Sequence, residues 1–205
     1  DAWLFKIDFE GEIQWQQSYD SGQLMSLISC NDGGFAASGH SNYNWYFVRC
    51  EDNGDEMWTR SFNFEGNEWS TSLVQMWDDG YTLVGRSGDG TVTPAVVRTD
   101  RDGNEMWRRV DRNRNQRSGH DSYSSTILGH DGSVMVVGSA AREGSRVDGV
   151  LVKIIPEISP PTIVSFVPEL LEFSVLISDT ILFAVEAFDL QDDTLTYTWT
   201  MNEDS

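Results

Sequence analysis

Only two cysteines, Cys30 and Cys50, occur in the 205 residues of the chain. Two thiols are too few for a disulfide-built scaffold, and no Cys/His spacing matches a zinc site. Lysine is as scarce, with Lys6 and Lys153 set against 12 arginines. No run of about 18 apolar residues exists, so no membrane-spanning helix is expected. The formal net charge is −19, the same sign as nucleic-acid phosphates, which argues against nucleic acid as a partner. The apolar spacing shows no 3.6-residue period, which excludes a helical solenoid. The chain opens at Asp1 with neither a Met nor a signal-peptide pattern, and it reads as a processed or excised piece.

What is present is a repeat. Hydrophobic residues make up 39% of the chain and 8 are Trp, enough for a folded core. "EDNGDEMW" at 51–58 returns as "DRDGNEMW" at 100–107, and more loosely as "DFEGEIQW" at 8–15. Superposing Gly11, Gly54 and Gly103 also superposes Trp15, Trp58 and Trp107. The acidic positions Asp8, Glu51 and Asp100 then coincide, as do the basic positions Lys6, Arg49 and Arg98. A fourth, partial copy, "DGVLVKI" at 148–154, puts Lys153 on the basic position. A second block alternates with the first: "SLISCNDGGFAASG" at 26–39, "SLVQMWDDGYTLVG" at 72–85 and "STILGHDGSVMVVG" at 125–138.

Both blocks alternate apolar and β-branched runs with Asp-Gly, Asn-Gly or Glu-Gly turns, the pattern of β-hairpins. Four strands every 43–55 residues match the blade of a β-propeller. The expected fold is therefore all-β. Residues 1–155 form about three and a half four-stranded antiparallel blades, and further blades come from the parent protein or from a second chain.

"FVRCEDNGDEMW" and "VVRTDRDGNEMW" resemble the tryptophan-docking motif of quinoprotein-type propellers. "DAWLFKID", followed by Gly and Trp and by "DGG", resembles the repeats of secreted bacterial and archaeal β-propeller proteins. That resemblance covers about residues 1–155 and implies a secreted or cell-surface setting. The quinoprotein cofactor residues have no counterpart in this chain, and no cofactor is expected beyond a possible Ca²⁺.

"PEISPP" at 156–161 makes a stiff linker. Beyond it, 162–205 alternates apolar and polar residues with period two. "FAVEAFDLQDDTLTYTW" resembles immunoglobulin-like modules of the polycystic-kidney-disease or cadherin-like kind, of which about the first half is present. In that resemblance Glu186, Asp189, Asp192 and Asp193 are weak Ca²⁺ candidates, set against a plain acidic turn.

Residues that recur in every unit read as structure: Trp15, Trp58 and Trp107 as packing between blades, with Trp58 and Trp107 mostly buried; Gly11, Gly54 and Gly103 as turn glycines; and the basic position as an ion pair per blade or a snorkelling side chain. The acidic turns read as turns before they read as calcium loops. Cys30 and Cys50 sit two strands apart in one meander, too far for a disulfide, and are expected as free thiols.

Length variation is confined to alternate connections. In an up-down-up-down sheet these share one end, and variable loops on a rigid scaffold are where binding usually resides. The candidate ligand-binding residues there are Tyr43, Trp45, Trp69, Arg112, Arg114, Arg117 and Tyr123, the aromatics for stacking and the arginines for anions. No catalytic residue is identified. The expectation is a non-catalytic binding or adhesion scaffold for a glycan or surface protein. The alternatives are a polysaccharide-cleaving or quinoprotein-type enzyme, and a structural spacer of a cell-surface protein.

Overall fold

The computed structural model describes residues 1–19, 22–64, 66–88, 92–111, 121–142, 146–155, 162–167 and 184–188. The chain divides into two compact units, Asp1–Ile155 and Pro156–Ser205. The first holds thirteen strands in four antiparallel sheets, and none of the sheets closes on itself. The first sheet is β1 (Ala2–Ile7) with β2 (Ile13–Tyr19). The second runs β3 (Gln23–Ser29), β4 (Phe35–Ser41), β5 (Asn44–Cys50), β6 (Glu56–Phe62). The third runs β7 (Trp69–Gln75), β8 (Tyr81–Ser87), β9 (Thr93–Thr99), β10 (Glu105–Val110). The fourth is β11 (Ser122–Leu128), β12 (Val134–Arg142), β13 (Arg146–Ile154). In the second unit β14 (Thr162–Val167) pairs antiparallel with β15 (Ala184–Phe188). Among the described residues there is no helix.

Every sheet of the first unit is a simple meander, so its connections alternate between two ends. The Asp-Gly turns after β3, β7 and β11 and the acidic Gly turns after β1, β5 and β9 lie at one end. The connections of variable length lie at the other.

The repeated glycines each have a physical reason. The Gly that closes the second block, Gly39, Gly85 or Gly138, lies opposite a bulge in the first strand of its sheet. There a carbonyl oxygen of Gln23, Trp69 or Ser122 comes to 1.8, 2.0 or 2.1 Å from where a Cβ would stand. Any side chain would have to push that strand away. The acidic-turn glycines Gly54 and Gly103 have φ of 86° and 76°, the left-handed region open to Gly. The indole of Trp15 lies over Gly54 and that of Trp58 over Gly103, each at 2.7–2.8 Å from the absent Cβ. Each Trp thus docks on the turn of the following sheet.

That docking fails at Trp107. Trp107 has no such glycine partner among the described residues and is 37% exposed, contrary to the expected burial. The fourth copy, at 148–154, is not followed by the Gly and Trp that end the other three. Trp58, by contrast, is partly buried and meets Phe47 and Tyr81 edge-on at ring distances of 5.0 and 6.1 Å.

Packing between sheets follows one rule. Alternate residues of each third strand face the preceding sheet, and the intervening ones face the next. Ala2, Leu4 and Tyr19 pack on Tyr46, Val48 and Cys50. Trp45 and Phe47 pack with Leu73, Tyr81, Leu83, Ala95 and Val97. Val84 and Val96 pack with Tyr123, Val134, Val136, Val150 and Val152.

Both cysteines are free and buried, with β4 between their strands. Burial pushes both thiols up from the ordinary value, which keeps them protonated and unreactive. Two expected outcomes follow. Neither thiol should react with a thiol-selective disulfide reagent in native buffer, and both should react once urea unfolds the chain. In equilibrium unfolding, Trp58→Ala should cost about 3 kcal/mol as a large core truncation, against under about 1 kcal/mol for exposed Trp107→Ala.

Candidate functional site

At the constant-turn end the basic position meets the Asp of the second block within the same sheet. Arg49 pairs with Asp32, Arg98 with Asp78 at 2.5 Å, and Lys153 with Asp131 at 2.6 Å. The first sheet has no such turn, and Lys6 reaches Asp52 of the neighbouring sheet at 2.7 Å. The expected ion pair per sheet is present.

The residue two after each Asp tracks the cation. Where it is Gly34 or Gly80, the Arg Nη1 passes 2.3 or 2.4 Å from the position of a Cβ. Where the cation is Lys153, Ser133 stands instead and donates to Asp131 at 2.5 Å. A guanidinium needs the space that an ammonium leaves free.

These groups are consumed by the scaffold. Arg49 donates to Asp32, to the Phe35 carbonyl at 3.1 Å, to the Cys50 carbonyl, and across the sheet boundary to Tyr81 Oη at 3.1 Å. Burial raises the Asp32 carboxyl, but the Gly34 N–H and the Arg49 guanidinium outweigh it and hold Asp32 below the ordinary carboxylate value. A cavity of about 290 Å³ opens at this end, lined in part by Asp32, Trp58, Asp79, Tyr81 and Asp102. Asn31 bridges it, donating its backbone N–H to the Gln75 amide oxygen at 2.9 Å and its side-chain amide to Asp79 at 3.0 Å. Two of the acidic turns spend a carboxylate on their own backbone, Asp8 accepting from the N–H of Glu10 and Glu12 and Asp100 from those of Asp102 and Asn104, while in the turn between them Asp52 pairs with Lys6 and Asp55 accepts from Gln17 and Asn53. Among the described residues no three His, Cys, Asp or Glu side chains converge as a metal set.

The variable end is built differently. The β4–β5 hairpin closes through Asn42 and Tyr43 between the paired Ser41 and Asn44. Both turn residues have positive φ, 49° and 66°, as a type I′ turn requires. A Tyr in the left-handed region costs on the order of 1–3 kcal/mol, and this one is 72% exposed. Beside the same sheet boundary, Trp69 stacks on His40 at 5.0 Å and 15°, and the Arg86 guanidinium lies 3.8 Å over its ring. Burial, then the Arg86 charge, pushes His40 below its ordinary value.

Trp45 is a correction. It is fully buried, donates its indole N–H to the Arg86 carbonyl at 2.9 Å, and packs on Phe64 at 4.9 Å. It opens β5 on the face turned to the next sheet, so it is scaffold and offers no ring to a ligand. Tyr123 is buried as well, and its hydroxyl donates to Asp111. It forms a wall of a cavity of about 420 Å³ between the third and fourth sheets, with Pro94, Val110, Asp111, Asp121, Ala140 and Val150 around it. Arg109 pairs with Asp111 at the rim. Arg112, Arg114 and Arg117 lie outside the described residues, as do Asp189, Asp192 and Asp193; Glu186 lies in β15.

Sequence reasoning missed Glu68, which is fully buried in the β6–β7 connection. One carboxylate oxygen accepts the Phe64 N–H at 2.5 Å, and the other has no hydrogen-bond partner among the described residues. Burial raises this carboxyl above its ordinary value, and the Phe64 N–H, the Arg108 charge and the Gly66 backbone offset it only in part. The one visible hint was "FEGNEW", an acid enclosed by turn residues and aromatics.

No protein-family model matches this chain, and no curated protein matches its sequence.

A pH dependence follows from Glu68. Its folded value lies above its unfolded one, so between the two the native state holds the extra proton. Stability therefore falls as pH rises from the ordinary Glu value through the folded value. Glu68→Gln should remove that slope and raise the melting temperature near pH 7 relative to the native chain, as read by thermal unfolding across pH 4–8. A melting temperature lowered equally at every pH would show that the carboxylate is needed as such.

Proposed function

We propose that Asp1–Ile155 is an arc of β-propeller blades serving as a non-catalytic extracellular binding scaffold, whose ligand, a glycan or a surface protein, is held at the variable-loop end. The observation that carries the reading is Tyr43. It is a large ring, presented to solvent at a hairpin tip, in a backbone conformation that disfavours it. Strain of that kind collects where function needs a side chain in one place. The Asp111–Tyr123 cavity at the same end supports a ligand rich in hydroxyls. It sets carboxylates beside apolar walls, the mixed lining that fixes orientation in small-ligand sites.

The propeller reading draws on the four-stranded repeat and on the Trp-over-Gly docking between successive sheets. A structural spacer has no use for a strained, exposed Tyr43. An enzyme of the polysaccharide-cleaving type needs a carboxyl free to give a proton and a second to attack or activate water. The carboxylates of the constant-turn cavity lean the other way, since Asp32 is committed to Arg49 and Asp79 to Asn31.

A glycan array followed by titration of the best hit tests the reading. Tyr43→Gly should leave stability within about 1 kcal/mol and weaken binding at least about 10-fold, as expected for loss of a central aromatic contact. Asp111→Asn should weaken it further. Binding untouched by both variants, with a loss on Asp102→Asn at the opposite end, would reverse the assignment.

A further inference from the structure

At the loop end, on the boundary between the second and third sheets, stands a positive charge that the scaffold does not use. Arg86 of β8 lies opposite Trp69 of β7 in the register. Its guanidinium sits 3.8 Å over the Trp69 ring, and His40 of β4 stacks on the same indole at 5.0 Å. With two neighbours on its π surface, Trp69 is spent as a support and is a poor platform for a ligand. What it supports is the guanidinium.

Arg49, Arg98, Arg108 and Arg109 each hold a carboxylate of the chain. Half-buried Arg86 holds none among the described residues, although the chain has 33 acidic residues. Glu68, next to Trp69 in sequence, is turned to the Phe64 N–H instead. A guanidinium lying flat on an aromatic ring keeps its N–H donors in its own plane, where a carboxylate can meet two of them at once. Burial, then the Arg86 charge, hold His40 below its ordinary value. His40 is therefore neutral near pH 7, and the positive charge of this patch belongs to Arg86.

We propose that Arg86, held on Trp69, takes the carboxylate of a single acidic sugar in an otherwise neutral glycan. The proposal rests on the loop-end binding role stated above and narrows its ligand. Trp45, two residues from Tyr43 on the same hairpin, donates its indole N–H to the Arg86 carbonyl at 2.9 Å. The guanidinium and the exposed Tyr43 ring thus belong to one patch, which fits a sugar with an apolar face and one acid group. The formal net charge of −19 repels a polyanion. One local cation then selects an isolated carboxylate over a uronate polymer or a sulfated chain.

A glycan array tests it when it carries chains ending in glucuronic acid or in sialic acid, each beside its counterpart with the carboxylate reduced to an alcohol. The best pair is then titrated calorimetrically against the full chain at pH 7. The acid should bind at least about 10-fold tighter than its alcohol, and which acid does so names the sugar. That ratio should shrink as salt is raised. Arg86→Gln, checked for native circular dichroism, should bring the ratio to within about 2-fold. Arg86→Met, which keeps a long side chain over Trp69, repeats the test if the first variant unfolds. Alcohols bound as tightly as acids overturn the proposal and leave the loop-end role standing, and so does a ratio that survives loss of Arg86. Tighter binding of polyuronate or sulfated chains overturns it as well. An array with no hit of any kind overturns the glycan reading and this proposal together.

Discussion

Apolar side chains on both faces of the same strands are the constraint on which the rest of this structure depends. In β5 six of seven residues are buried, and in β9 all seven are. A sheet made of such strands cannot stand with one face in water, because each fully exposed large side chain forgoes about 1.5–3 kcal/mol. It must be covered on both sides by other sheets. Stacking of sheets is therefore required before any particular turn or ion pair is considered.

Devices at the turn end set how one sheet meets the next. A Trp laid over a turn glycine fixes the spacing between sheets, and it works only where the turn has no Cβ. The Tyr19 hydroxyl adds a hydrogen bond to the Gly54 carbonyl at 2.7 Å, and Arg60 adds one to the Asp102 carbonyl at 2.7 Å. The buried guanidinium of Arg49 ties its own Asp turn, the backbone of its own sheet and Tyr81 of the next. With so many partners at one end, that end has little freedom to vary in length or composition.

At the opposite end the chain accepts costs. Tyr43 sits in a left-handed turn, Glu68 is buried with an unpartnered oxygen, and Trp69 is held between chemically distinct neighbours without full burial. Local choices that oppose the fold are tolerated where something other than folding selects them. A densely tied turn end and a costly, variable loop end share the same sheets, and the recognition role proposed above rests on that contrast.

The four-stranded unit, its meander order, the turn end and the loop end were all legible in the letters, because hairpins are local and Asp-Gly turns announce them. So were the free thiols, since Cys30 and Cys50 lie on strands separated by a third. The ion pair at Lys6, Arg49, Arg98 and Lys153 was legible as a recurrence, and Gly34 and Gly80 against Ser133 even record which cation is present. Burial was not legible. Trp45 and Tyr43 are two residues apart in one candidate loop, yet one is sealed between sheets and the other stands in solvent. Which face of a strand is covered depends on the sheet beside it. Trp58 and Trp107 share one repeat position, yet Trp58 rests on Gly103 of the following sheet and Trp107 has no such glycine among the described residues. Sequence determined the unit, since its contacts are short-range; the tertiary structure alone decided exposure, because that depends on neighbours far away in the chain.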